Sequence, residues 1–293
     1  MKTPFLWGRE TYPRLQHLTA GFPIFASMVS APIGIFDSGL GGLTIWSAIR
    51  ERLAQESIIY VGDQGRCPYG PRSPQEIQTY SEQITRFLLA KDCKLIVIAC
   101  NTATAAAIGI LRQKYAVPFV GLEPALKPAV LASKSGKVGI LATEGTFSGQ
   151  HFKQTQAQYG VGKKFFLQVG HGLVAAVENG DLDTPATQKL LERYLVPMLD
   201  EGVDQIVLGC THYPLLRPTM EKIVGEQAVI LDPSAAIARR VEYILQEAQK
   251  LSQESSPQFE FYTTSSIKKF TQQLYDLMKI QSKKISKLGS LSF

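Results

Sequence analysis

The sequence predicts an α/β protein of two pseudo-symmetric lobes, each a parallel sheet flanked by helices, with the active site between them. Eight short apolar runs rich in β-branched residues alternate with helical patterns. Two of these runs recur at a nearly constant offset, and in each half one run ends in a cysteine. Runs that lack a polar face suit parallel strands covered on both sides by helices.

In chain order the strands are expected at Ile33 to Phe36, Ile58 to Val61, Leu95 to Ala99 and Val117 to Leu122, then at Val138 to Ala142, Phe165 to Val169, Gln205 to Gly209 and Val229 to Leu231. The first is followed by Asp37-Ser38-Gly39, a polar turn. The third runs into Cys100 and then Asn101-Thr102-Ala103-Thr104-Ala105-Ala106-Ala107, a capping pair followed by strong helix formers. The fifth is followed by Thr143 to Thr146, and the seventh by Cys210-Thr211-His212. Ile33 to Gly39 resembles Val138 to Gly145 at an offset of 105, and Leu95 to Thr102 resembles Gln205 to His212 at an offset of 110. Two matches at nearly one offset imply two related halves. Chance likeness of apolar strands would explain the strands but not the matched thiols.

Composition narrows the classes. With 293 residues, 45% hydrophobic and 19% charged, the chain can build a large core without disulfides. Four cysteines, at 67, 93, 100 and 210, form no paired metal-ligand motif and no secreted framework, so a reducing cytoplasm is expected and no metal is. The net charge of +6 gathers at the ends: residues 261–293 carry six lysines against one acid, and the body is left near −1. A basic groove for nucleic acid is therefore not expected, and residues 281–293 read as a solvated basic tail. Residues 18–36 carry no charge, but Pro23 and Pro32 argue against a leader or membrane helix. Met28 precedes the first strand, so residues 1–30 read as an extension of no assigned role.

In open parallel sheets ligands bind outside the carboxyl ends of the strands, where both cysteines fall. A helix N-terminus after Cys100 is expected to lower the pKa of its thiol. Taken alone, Cys100 would be a buried small hydrophobe. Paired with Cys210 across a cleft, it suits inversion of a carbon stereocentre, in which one base removes a proton and the other delivers one to the opposite face. A hydrolase is disfavoured, because the second thiol stands where a histidine base should be. Asp37 reads either as a helix cap or as a carboxylate orienting the Cys100 thiol or a substrate ammonium. His212 reads either as structural or as a proton relay for Cys210. Ser38, Pro68-Tyr69-Gly70, Asn101, Thr102, Thr143, Thr146 and Thr211 can offer hydroxyls and backbone amides to a carboxylate. No phosphate loop, dinucleotide fingerprint or evident pyridoxal lysine is present, so no cofactor is expected.

These residues resemble those of the glutamate racemases, within the cofactor-independent aspartate/glutamate racemase superfamily. The likeness runs over about residues 32 to 280 and rests on Gly34-Ile35-Phe36-Asp37-Ser38-Gly39-Leu40-Gly41-Gly42-Leu43-Thr44, Pro68-Tyr69-Gly70, Ala99-Cys100-Asn101-Thr102-Ala103 and Leu208-Gly209-Cys210-Thr211-His212-Tyr213-Pro214-Leu215. The resemblance implies that Cys100 takes the proton from D-glutamate and Cys210 from L-glutamate, with Asp37 assisting the first and His212 the second. It further implies a homodimer, a role in peptidoglycan supply, and ligand contacts from Ser38, Tyr69, Gly70, Asn101, Thr102, Thr143, Thr146 and Thr211; the charge distribution and the prolines, and not the resemblance, are what predict no nucleic-acid or membrane partner. Glu178 matches the family's glutamate near the second cysteine; an exposed helical acid is the competing reading. An aspartate or related amino-acid racemase, or a regulatory binding protein of the same fold, are the alternatives. The family's Cys-Pro-Leu segment reads Gly170-His171-Gly172-Leu173 here, and its Asp-Thr-Ala reads Asp63-Gln64-Gly65. Cys67 and Cys93 match no catalytic position and read as packing residues. The expected lobes are 31–123 with 232–280, and 124–231.

Overall fold

A computed structural model describes residues 29–282 and 284–288. Most of the extension expected over residues 1–30 therefore lies outside the described residues. Two parallel sheets dominate. The first has six strands in the order β10-β9-β2-β1-β3-β4: β1 (Ile33–Asp37), β2 (Ile58–Gly62), β3 (Leu95–Ile98), β4 (Phe119–Gly121), β9 (Phe259–Thr263) and β10 (Ile285–Lys287). The second has four in the order β6-β5-β7-β8: β5 (Lys137–Ala142), β6 (Lys164–Val169), β7 (Gln205–Gly209) and β8 (Val229–Leu231).

The repetition seen in the sequence is a repetition of topology. Within the first sheet the order β2-β1-β3-β4 matches β6-β5-β7-β8 strand for strand. Every residue of β1, β2, β3 and β7 is buried, as expected of strands covered on both faces. Alternate side chains feed opposite cores. Ile33 and Ile35 pack with Trp46, Phe261 and Phe270, while Phe36 joins Val61, Ile98 and Cys93 on the other face. In the second sheet Leu141 and Leu208 face one core, and Ile140 and Val207 the other.

Helices between the strands start where local chemistry allows. Ser73 and Glu76 form a reciprocal capping box for the helix Pro74–Leu89, with Pro74 where a proline's missing N–H costs nothing. Thr184 caps Pro185–Asp200 in one direction, its hydroxyl accepting the Thr187 N–H, again with a proline in the first turn. Among the described residues no helix is long and apolar enough to cross a membrane.

Two strands escaped the sequence reading. β9 reads Phe-Glu-Phe-Tyr-Thr, interrupted by an acid, and β10 reads Ile-Ser-Lys at the sheet edge. β10 corrects the expectation of a solvated tail over 281–293 for its described part, while 283 and 289–293 lie outside the described residues. Ile285 pairs with Phe261 and Lys287 with Thr263, and Leu288, 6% exposed, anchors the end of the strand in the core.

Candidate active site

Strand register builds the site. β1 pairs with β3 so that Phe36 faces Ile98, which brings Asp37 beside the turn at Ala99-Cys100. In the second sheet Ala142 faces Gly209, which brings Thr143 beside Cys210. Each cysteine thus ends a strand next to the end of its lobe's central strand.

Cys100 is the N-cap of the helix Asn101–Lys114, and its Sγ accepts the Ala103 N–H at 3.4 Å. Its thiol points at Ser38 Oγ, 3.7 Å away. The expected lowering by the helix end is outweighed. Burial first, then the nearby Asp37 carboxylate, push the Cys100 pKa up to about 12, with the Ala103 N–H opposing them. Cys100 is therefore a thiol at neutral pH. Cys210 is near enough that the two sulfurs disfavour carrying negative charge together.

Asp37 is fully buried. Its Oδ1 accepts the Gly39 N–H at 2.6 Å and its Oδ2 accepts the Thr211 hydroxyl at 2.9 Å. It fixes the glycine turn and reaches across to the second lobe; it does not cap the helix Leu43–Arg52, whose N-cap Gly42 has no side-chain hydrogen bond, so the helix-cap reading is corrected. Its influence on Cys100 is electrostatic, with Ser38 standing as the hydroxyl next to the sulfur. Burial raises the Asp37 pKa to about 6, against the pull of His212 and the two hydrogen bonds.

Around Cys210 the chemistry differs. His212 Nδ1 lies 3.8 Å from Cys210 Sγ, and its Nε2 lies 2.7 Å from Glu178 Oε1. Burial pulls the imidazole pKa down, but contacts with Cys210, Cys67 and Glu178 more than offset this and hold it well above the ordinary histidine value. Glu178 sits on the helix Leu173–Asn179 with its side chain 14% exposed, which removes the exposed-acid reading. Its Oε1 also accepts the Leu40 N–H at 2.6 Å, and its Oε2 accepts Gln64 Nε2 at 2.9 Å. Burial favours its neutral form, yet the imidazolium and these donors outweigh burial and lower its pKa.

Close packing depends on two glycines. A Cβ on Gly39 would stand 2.0 Å from Glu178 Oε1, and one on Gly41 would stand 2.5 Å from His212 Nδ1. The glycine turn after β1 is therefore the surface against which the histidine and glutamate are pressed.

The remaining expected residues converge on the same boundary. Thr102 Oγ1 meets Thr143 Oγ1 at 2.8 Å across the lobes, and Thr143 meets Thr146 at 2.9 Å, which donates to the Gly209 carbonyl at 3.2 Å. Gly70 lies against Thr143, where a Cβ would be 3.5 Å from the threonine Cβ. Tyr69 is buried with its hydroxyl donated to Asp63, so its own polar atom is engaged, and Pro68 precedes it in the same turn. Asn101 is 4% exposed, and neither atom of its side-chain amide finds a partner among the described residues. Buried amides are ordinarily satisfied, so these two atoms stand apart from the rest of the packed boundary.

Sequence reasoning missed Gln64, Gln273 and Cys67. Gln64 was noted only as a departure from the family pattern. Gln273 Nε2 donates to the Glu178 carbonyl at 2.6 Å and its Oε1 accepts from Gln64 at 3.0 Å. Cys93 packs in the core as expected, whereas Cys67 is only partly buried and lies against His212 and Glu178.

A family model described as Asp/Glu/hydantoin racemase matches residues 43–241. The chain belongs to that family. It is 46% identical over 217 residues to the glutamate racemase of Roseiflexus sp. strain RS-1, covering 74% of this chain and 80% of that one. Among solved structures, the glutamate racemase isoform RacE1 of Bacillus anthracis superposes with a TM-score of 0.82 at 33% identity, covering 89% of this chain and 98% of that one. The glutamate racemase of Francisella tularensis, solved in complex with D-glutamate, gives a TM-score of 0.79 at 29% identity, over 90% and 99% of the two chains. Membership of this racemase family accords with the matched cysteines and the repeated strand order.

Proposed function

We propose that this racemase interconverts L- and D-glutamate by two-base proton transfer between Cys100 and Cys210, supplying D-glutamate for peptidoglycan. The observation that carries the reading is the convergence of the two strand-end cysteines on one lobe boundary, each with its own proton-handling partners. The relatives named for glutamate support the substrate, and the unpartnered Asn101 amide offers it a donor and an acceptor.

Each turnover balances one proton. A thiolate on one side takes the Cα proton, leaving a carbanion whose charge spreads into the substrate carboxylate. The opposite thiol then donates its proton to the other face, and the two sulfurs exchange protonation states. With Cys100 held as a thiol and a positive His212 beside Cys210, the charge pattern suits removal of a proton by Cys210 and delivery by Cys100, the direction that starts from L-glutamate. Hydrogen bonds from hydroxyls and amides around the carboxylate stabilise the carbanion most in a dry site.

The test is exchange in deuterium oxide. Purified protein without added cofactor should wash deuterium into Cα of glutamate, and Cys100→Ser or Cys210→Ser should each abolish racemisation. A requirement for pyridoxal phosphate, or faster exchange with aspartate than with glutamate, would overturn the mechanism or the substrate respectively.

A further inference from the structure

Among the described residues, Cys67, Glu178 and His212 form a group in which one donor atom from each lies within 4.8 Å of the others. Cys67 follows the short turn Gln64–Arg66 of the first lobe, whereas Glu178 and His212 belong to the second. A sequence scan for paired ligands cannot find such a group, because its members stand 111 and 34 residues apart. We propose that these three side chains form an inhibitory site for a borderline-soft divalent cation of the zinc class, which would staple the two lobes together.

The donor set decides the class of ion. Thiolate sulfur, imidazole nitrogen and carboxylate oxygen suit zinc, and hard cations such as magnesium would not choose a sulfur ligand. Ligand atoms around a tetrahedral zinc lie about 3.3–3.7 Å apart, so the cluster must rearrange on binding: the 2.7 Å Glu178–His212 contact opens by roughly half an ångström, and spacings that reach as far as 4.8 Å close by about an ångström. A thiolate and a carboxylate together balance the ion's two positive charges. Binding displaces the Cys67 thiol proton and the proton on His212 Nε2, and it leaves a fourth position open for water or a ligand.

The surroundings already hold the ligands in place. Gln64 fixes Oε2 of Glu178 at 2.9 Å, Leu40 N–H fixes Oε1 at 2.6 Å, and Gln273 holds the Glu178 backbone carbonyl. Outer hydrogen bonds of this kind tune metal affinity strongly. Inhibition follows because the ion takes His212 Nε2 and its Glu178 partner, and so replaces the charge pairing that sets the state of the ring whose Nδ1 faces Cys210. That consequence rests on the racemase reading, but the site itself does not.

Cobalt(II) is the probe, added to the full-length reduced protein. We expect one cobalt per chain, with the visible spectrum of a tetrahedral ion and a thiolate-to-cobalt charge-transfer band that zinc displaces. Cys67→Ser should remove that band and weaken cobalt binding at least about tenfold, while Cys93→Ser should leave both unchanged. Zinc should slow wild-type racemisation and slow Cys67→Ser at least about tenfold less effectively. Circular dichroism checks folding, and Cys67→Ala serves as a second variant read by cobalt binding alone. A charge-transfer band that persists in both Cys67 variants, or a wild-type protein that shows no cobalt spectrum with excess metal, would overturn the site. Cobalt binding through Cys67 in a protein that fails to exchange glutamate would instead sink the proposed activity and leave the site standing.

Discussion

Gln64 donates its side-chain amide to Oε2 of Glu178 at 2.9 Å, so a residue of the first lobe fixes a carboxylate of the second. The same amide reaches Gln273 at 3.0 Å, and its oxygen accepts the Thr263 hydroxyl at 3.0 Å. Gln64→Ala should free that carboxylate oxygen and lower turnover roughly tenfold, a fraction of what a positioned acid–base group supplies. Gln64→Glu should lower it further, because a second carboxylate would raise the proton affinity of Glu178. Steady-state rates in both directions and their pH profiles check this; a purely structural role for Gln64 would leave the pH profile unmoved.

Glu178→Gln removes the negative partner of the His212 imidazolium. Turnover should fall about a hundredfold or more, and the histidine should lose its proton at lower pH than in the wild type. Histidine titration by NMR and pH–rate profiles of the variant measure the two effects separately.

Gly39→Ala places a methyl group where Glu178 Oε1 now sits, 2.0 Å from the new carbon. The carboxylate must swing away and His212 Nε2, 3.0 Å from the new carbon, is crowded too, so activity should drop more than about tenfold with little change in fold, since the clash is with side-chain ends and not with backbone. Comparing the rate and the thermal midpoint of the variant checks both halves of the expectation.

Asp37 is more easily protonated in the folded protein, at about 6, than its ordinary value of 3.8. The folded state therefore binds the extra proton between about pH 4 and 6, and this group's contribution to stability declines as pH rises through that window. Asp37→Asn should be more stable than wild type at pH 7 by an amount of order 1–3 kcal/mol, with the difference shrinking toward pH 4, while racemisation is lost. Urea unfolding at the two pH values decides.

Lys94 and Glu56 form an ion pair at 2.6 Å with side chains 1% and 2% exposed. Lys94 Nζ also donates to the Lys250 carbonyl at 2.8 Å, and Glu56 accepts the Ser252 N–H at 2.8 Å. Lys94→Met leaves a buried carboxylate unpaired and should cost about 3–5 kcal/mol, whereas the double change with Glu56→Met should recover much of it. Denaturant melts of the three proteins measure the coupling.

Much of this fold was legible because the central strands are buried on both faces and so read as uninterrupted apolar runs. β9 was not, since Glu260 breaks the run near the sheet edge, and β10 is three residues long with two of them polar. Cys100 and Cys210 were legible because topology places the ends of matched strands at one boundary. Gln64 and Gln273 were not, because their partners are 114 and 95 residues away and a glutamine carries no charge or period to betray it. The helix end beside Cys100 was foreseen correctly as a donor, but its effect on the thiol was not, because depth of burial is a property of the packed molecule.

The bonds from Asp37 to Thr211 and from Thr102 to Thr143 close over reactive groups that scarcely touch solvent: Cys100 is 5% exposed, Cys210 7% and His212 1%. An amino acid cannot arrive or leave while those bonds stand, so every catalytic cycle dismantles and rebuilds the machinery that performs it.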